Sequence, residues 1–398
     1  MIPETTDKMN MHPRTHFSYA AFYSSKFILL GIQLPFFSGW LALKGVSASE
    51  IGLITGGALV MRLLLGPFVA YWADQQDDML RGLKSLAFIF AASALALNLP
   101  VGNLAIAAAS IGVMWSFGVL VPLVDTAVLR ADRAGLANFG QARAIGSFAF
   151  LATTILGGEA LTRLGLNAAA PIMAAAACAA FAVGLSLPSE RRQSGPGSAL
   201  NWRDVRALFS SKVFLLALAA AALVQGAHAV YYAFSILHWS SLGYSPRIVG
   251  MLWATGVIAE ILLLTRMRAA ARLLGPAKLI ALGAGGAALR WSLIALEPPL
   301  PLLFLIQTMH ALTFAATYIG TIEFIARAAP TRLINTAMTL NSTAGVGAVT
   351  GLATIAGGYM FQSAGASAAY FLMAAMAAIA FLLALLLMRV WKGGMLVE

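Results

Sequence analysis

The chain has 398 residues, of which 60% are hydrophobic and only 10% charged, and its formal net charge is +11. Soluble domains carry about 25% charged residues, so these proportions exclude an ordinary soluble protein. Nor does the basic excess indicate nucleic-acid binding: Lys and Arg gather at the ends of apolar runs, not on a polar domain with stacking aromatics.

Those apolar runs are about twenty residues long, enough at ~1.5 Å per residue to cross a hydrocarbon core of ~30 Å. Lipid offers backbone amides no partner, so each run is expected as a helix. Twelve spans are predicted, at roughly 17–43, 50–72, 83–99, 103–129, 143–163, 168–187, 213–240, 247–267, 277–296, 301–327, 335–361 and 366–390. The polar residues before the first span show no small-residue cleavage site, so that span is expected as an uncleaved anchor. Cys178, the single cysteine, lies in the sixth span and has no partner for an internal disulfide.

The longest polar segment, 188–212, is rich in Gly, Pro, Ser and charge, as a solvated connection should be. It separates two expected bundles of six helices, 1–187 and 213–398. Placing the N-terminus inside puts twenty Lys and Arg residues at cytoplasmic helix ends and only Lys44, Arg163 and Arg247 opposite, with Lys26, Arg62 and Arg290 within spans. Basic residues favour the cytoplasmic side, so both termini are expected there.

A shift of 198 residues lays "GVSASEIGLITGGALVMRLLL" on "GYSPRIVGMLWATGVIAEILL", pairing Gly45 with Gly243, Gly52 with Gly250 and Arg62 with Glu260. An even number of spans separates the copies, so they cross in the same direction. Parallel repeats of this kind belong to alternating-access carriers, whose substrate site lies at midplane between the halves. The predicted fold is an all-α membrane protein of two pseudo-symmetric six-helix bundles.

Charges inside the spans point to function, since each costs ~2.5–3.5 kcal/mol at the centre of a membrane helix unless it faces a polar cavity or a counter-charge. Glu260 in "VIAEILLLT" has candidate partners in Arg290 and His310 on neighbouring spans. A carboxylate, a permanent cation and an imidazole that titrates near neutral pH suit proton coupling. The alternative is a structural ion pair with His310 as a bystander. Arg62 is a candidate substrate contact, and Lys26 is either a second one or a snorkelling side chain.

Asp125 and Arg143, near the cytoplasmic ends of adjacent spans, suit an inner gate or a boundary pair, with Asp74 on the same surface. Glu159 with Arg163, and Glu323 with Arg327, have the i,i+4 spacing of local pairs. The seventh span, "LVQGAHAVYYAFSILHWSSLGY", offers Gln225, His228 and Tyr232 for a ring-bearing ligand, while His238 and Trp239 fit an interfacial belt. No phosphate-cradling loop, Cys/His metal spacing or nucleophile with its base is visible, so no cofactor, metal or enzyme activity is expected.

The segment "LVQGAHAVYYAFSILHWSSLGYSPRIVGMLWATGVIAE", with "LRWSLIAL", "QTMHAL" and "LPFFSGWLALKGVSASEIGLITGGALVMRLL", resembles the phenylpropionate permease group of the major facilitator superfamily, in the lactose permease-like and nucleoside symporter-like set. The resemblance implies a monomeric proton symporter in the bacterial cytoplasmic membrane. It implies Glu260, Arg290 and His310 as the coupling cluster and Asp125 with Arg143 as a substrate pair, although Thr313 stands where lactose permease has a glutamate. The expected cargo is a small organic acid such as 3-phenylpropionate. A nucleoside, sugar or drug-like solute, including one exported, is the alternative within transport, and a non-transporting membrane sensor or assembly factor the alternative outside it.

Overall fold

The computed structural model describes residues 13–74, 79–187 and 202–396, and among these there is no β-strand. The first half comprises α1 (Pro13–Leu43), α2 (Ala48–Asp74), α3 (Met79–Ala96), α4 (Asn103–Arg133), α5 (Phe139–Leu164) and α6 (Ala169–Leu185). A short helix, α7 (Trp202–Ser210), then precedes α8 (Lys212–Gly226) and α9 (Ala229–Ser241), which together fill the expected seventh span. Next come α10 (Pro246–Thr265), α11 (Met267–Leu274), α12 (Pro276–Ala295), α13 (Leu300–Thr308), α14 (Thr317–Ala328), α15 (Ile334–Leu340) and α16 (Ala348–Val390).

Ten helical stretches among the described residues are long and apolar enough to cross a membrane. One of them, Thr331–Val390, covers two expected spans and is broken at Gly365, where φ is 85° and ψ 176°, a conformation a side chain would oppose. The expected third span corresponds to α3, which carries Arg81 and Lys84 in its first turns. Of the expected connection 188–212, residues 188–201 lie outside the described residues. Asp74 ends α2, and its side chain lies outside them as well.

The chain forms two compact units. One comprises Met1–Gln33, Leu65–Thr153 and Ala168–Gln193, and its core gathers Tyr19, Phe22, Tyr23, Leu83, Leu120 and Val124. The other comprises Leu34–Leu64, Thr154–Asn167 and Ser194–Glu398. Lipid is as apolar as leucine, so helices in a membrane associate through close packing and polar contacts instead of water exclusion.

Within the second unit, the end of α5 meets the start of α10 in this way. A side chain at Gly158 would come within 2.6 Å of the Pro246 carbonyl, and one at Gly250 within 2.5 Å of the Thr154 carbonyl, so the backbones touch only because both are glycine. Polar contacts complete the junction. Glu159 Oε1 accepts from Arg163 Nε at 2.6 Å and from Arg247 Nη2 at 2.7 Å, Glu159 Oε2 accepts from Arg247 Nε, and the Arg247 backbone N–H donates to Thr162 Oγ1 at 2.8 Å.

Candidate functional site

Three helical segments of the second unit bring the expected coupling residues together. α12 presents Arg290, fully buried, and α10 presents Glu260, whose side chain is 19% exposed. Between α13 and α14 the helix widens into a π-helical turn over Ala311–Ala316, with His310 immediately before it. Such turns recur at functional sites because the extra residue re-aims side chains. Here Gln307, His310 and Thr313, spaced three residues apart, all reach Arg290. On α10, Gly256 makes room, since a side chain there would lie 3.2 Å from the Cβ of His310.

Neutral acceptors hold the two terminal nitrogens of Arg290. Its Nη1 donates to His310 Nδ1 at 3.0 Å and to Thr313 Oγ1 at 3.0 Å, and its Nη2 donates to Gln307 Oε1 at 2.6 Å. The rings of Tyr231 and Trp291 lie 4.9 and 4.5 Å from the guanidinium carbon, where cation–π attraction adds to the hydrogen bonds. His310 stands between cation and acid: its Nε2 is 3.3 Å from Glu260 Oε2.

A second cluster lies in the first unit. Lys26, buried on α1, pairs with Asp125 of α4, and its ammonium sits 3.8 Å from the centre of the Tyr23 ring. Arg143 of α5 lies over Phe27, 5.1 Å from the ring centre, while Lys26 is 5.2 Å from that same ring. The carboxylate expected to meet Arg143 is therefore engaged by Lys26, whose buried ammonium has the greater need of a counter-charge. Two cations share a single phenyl ring.

The family model described as "MFS_1 like family" matches residues 16–373. The chain belongs to the MFS_1 like family. Among its relatives, the "Probable 3-phenylpropionic acid transporter" of Escherichia coli (strain K12) is 27% identical over 86% of this chain and 90% of that protein. The "Maltose permease" of Geobacillus stearothermophilus is 29% identical over 61% of each. Among solved structures, the nucleoside transporter NupG superposes with a TM-score of 0.72 at 16% identity, covering 95% of this chain and 99% of that one. A D-xylose-proton symporter superposes with a TM-score of 0.71 at 14% identity, covering 95% and 98%. This MFS_1 like protein is thus a multi-pass membrane transporter of the major facilitator fold, and not an enzyme.

The remaining expected residues of this transporter fall differently. His228, fully buried, is committed on both nitrogens: Nδ1 is 3.0 Å from the Val224 carbonyl, and Nε2 is 3.1 Å from Thr313 Oγ1. Tyr232 stacks on its ring at 5.5 Å, and Gln225 is buried three residues earlier. Tyr231 stacks on Trp253 at 4.4 Å, so these rings fill one another's faces. His238 and Trp239, which suit a boundary belt, are buried instead. Arg62 is exposed and has no acidic partner among the described residues.

Chemistry fixes the histidine protons. Arginine can only donate, so His310 Nδ1 must accept, and the ring hydrogen sits on Nε2, facing Glu260. A carbonyl can only accept, so His228 carries its hydrogen on Nδ1, and its Nε2 accepts from the Thr313 hydroxyl. A second proton on His310 would displace the guanidinium. ¹⁵N NMR on histidine-labelled protein is therefore expected to show His310 as the Nε2–H tautomer, assigned by the signal lost in His310→Gln. A doubly protonated or Nδ1–H ring at neutral pH would refute this arrangement.

Proposed function

We propose that this transporter carries a small aromatic carboxylate, of the 3-phenylpropionate kind, into the cell by proton symport and alternating access, in the bacterial cytoplasmic membrane with both termini inside. The observation that carries the coupling is the Glu260–His310–Arg290 row: an ionisable carboxylate within a membrane helix, held by an imidazole whose other nitrogen accepts from a buried arginine. Glu260 is then the group that gains and loses the proton, and His310 holds it in place. The Lys26–Asp125–Arg143 cluster supports the cargo reading, because its two cations outnumber its acid and Phe27 offers a ring face to both. A substrate carboxylate competes with Asp125 for Lys26. Gln225, His228 and Tyr232 act as packing behind the coupling row. The carrier works as a monomer.

Counterflow in proteoliposomes tests the proposal. With a panel of labelled aromatic acids, nucleosides and sugars, exchange is expected for 3-phenylpropionate or a close analogue and is expected to be lost in Lys26→Gln. Exchange of a nucleoside or sugar alone would overturn the cargo assignment. Folded protein that exchanges no member of the panel would support a sensor.

A further inference from the structure

Away from both charged clusters, each unit carries a groove that joins basic and apolar side chains. In the first unit it runs along one face of α3, through Arg81, Lys84, Ser85 and Phe88, against Phe181 and Leu185 of α6, and encloses about 500 Å³. The order along α3 matters. Positions 81, 84, 85 and 88 share a face at helical spacing, with the charges in the opening turns and Phe88 about 10 Å beyond Arg81 and about 6 Å beyond Lys84, at ~1.5 Å per residue. Phe88 is 58% exposed, so the deeper part presents apolar surface outward, and Leu185, 55% exposed, adds apolar surface at the end of α6.

In the second unit, a groove of about 260 Å³ is lined by Pro276 and Lys278 at the start of α12, Arg327 at the end of α14, and Met388 and Trp391 at the end of α16. Two elements of each groove are repeat counterparts, α14 being additional in the second. α3 and α12 are the third helix of each sequence half, while α6 and the last part of α16 are the sixth.

We propose that both grooves are binding sites for anionic phospholipids, with the phosphodiester on the cation pair and, in the first groove, an acyl chain along the apolar wall. Charge at the helix ends with apolar surface below is the order of groups in a lipid, and basic pockets between membrane helices take anionic headgroups. A free phosphate ion would make no use of Phe88, Phe181 and Leu185. The basic ends of α3 and α12 belong to the side that the Lys and Arg count assigns to the cytoplasm, so both lipids come from the inner leaflet. The first groove is the tighter one. Arg327 also donates to the Glu323 carboxylate at 3.1 Å, whereas Lys84 has a long 3.3 Å bond to the neutral Leu187 carbonyl.

Native mass spectrometry of the full chain, released from bilayers of phosphatidylglycerol and phosphatidylcholine, tests the sites. Selective retention of up to two phosphatidylglycerol molecules is expected. At about 1 kcal/mol per basic residue, Arg81→Gln with Lys84→Gln weakens the first site about thirtyfold. Lys278→Gln with Arg327→Gln has a smaller effect, and Arg133→Gln, a boundary cation outside both grooves, has none. Equal retention of phosphatidylcholine, unchanged retention in the fourfold variant, or equal loss in Arg133→Gln would overturn the proposal. So would displacement of the lipid by millimolar inorganic phosphate, which would mark a site for the free ion. Melting profiles of the variants in detergent separate loss of lipid from loss of fold.

Discussion

Glu260→Gln is expected to keep counterflow within about twofold of the unmodified rate, a difference of ~0.4 kcal/mol, while abolishing accumulation against a gradient. The amide has the size of a protonated carboxyl and can still meet His310 Nε2, so the occupied carrier can change conformation. What it lacks is the deprotonated state. Each proton carried down a one-unit pH gradient supplies ~1.4 kcal/mol, or about tenfold accumulation, and the variant forfeits that factor entirely. Proteoliposomes with an imposed pH gradient measure both quantities in one preparation. Uphill uptake by Glu260→Gln at the unmodified rate would transfer the coupling role to another acid, with Asp125 next in line because it already neutralises a buried lysine.

How far the sequence discloses this site depends on which residues lipid penalises. Glu260, Arg290 and Lys26 stand out because charge in an apolar span demands a reason. Gln307 and Thr313 do not, since a neutral polar group can hydrogen-bond within its own helix and costs little. Their common spacing with His310, at 307, 310 and 313, is the available signal, and it becomes meaningful once Arg290 is seen to need acceptors. The pairing of Lys26 with Asp125 joins residues 99 positions apart. Helix register decides such a contact, and an apolar pattern on every face leaves register unspecified.

Aromatic residues fail as markers for a related reason. His238 and Trp239 have the composition of a boundary belt, yet packing against Tyr370 and Tyr231 draws them inside. The helices are legible because hydrocarbon thickness and backbone satisfaction set them. The π-helical turn at Ala311–Ala316 and the break at Gly365 are settled by packing between helices.

Arg290→Lys is expected to fail as a replacement, lowering accumulation and counterflow together by about a hundredfold, the rate equivalent of ~3 kcal/mol. The two side chains share a charge but differ in reach and shape. Arginine's planar fork places one nitrogen between His310 Nδ1 and Thr313 Oγ1 and the other on Gln307 Oε1. A lysine ammonium is a single centre and cannot satisfy all three acceptors from one position. Each acceptor left unpaired in a buried setting costs about 1–3 kcal/mol. A His310 released from Arg290 can also move its hydrogen to Nδ1, turning a bare nitrogen toward the Glu260 carboxylate. Arg290→Lys should therefore lower the thermal midpoint in detergent and populate the other His310 tautomer by ¹⁵N NMR. Arg290→Met, which removes the charge as well as the donors, separates the two contributions: recovery of the midpoint without transport would show that the fork serves coupling, whereas unmodified transport in Arg290→Lys would reduce Arg290 to a plain buried charge.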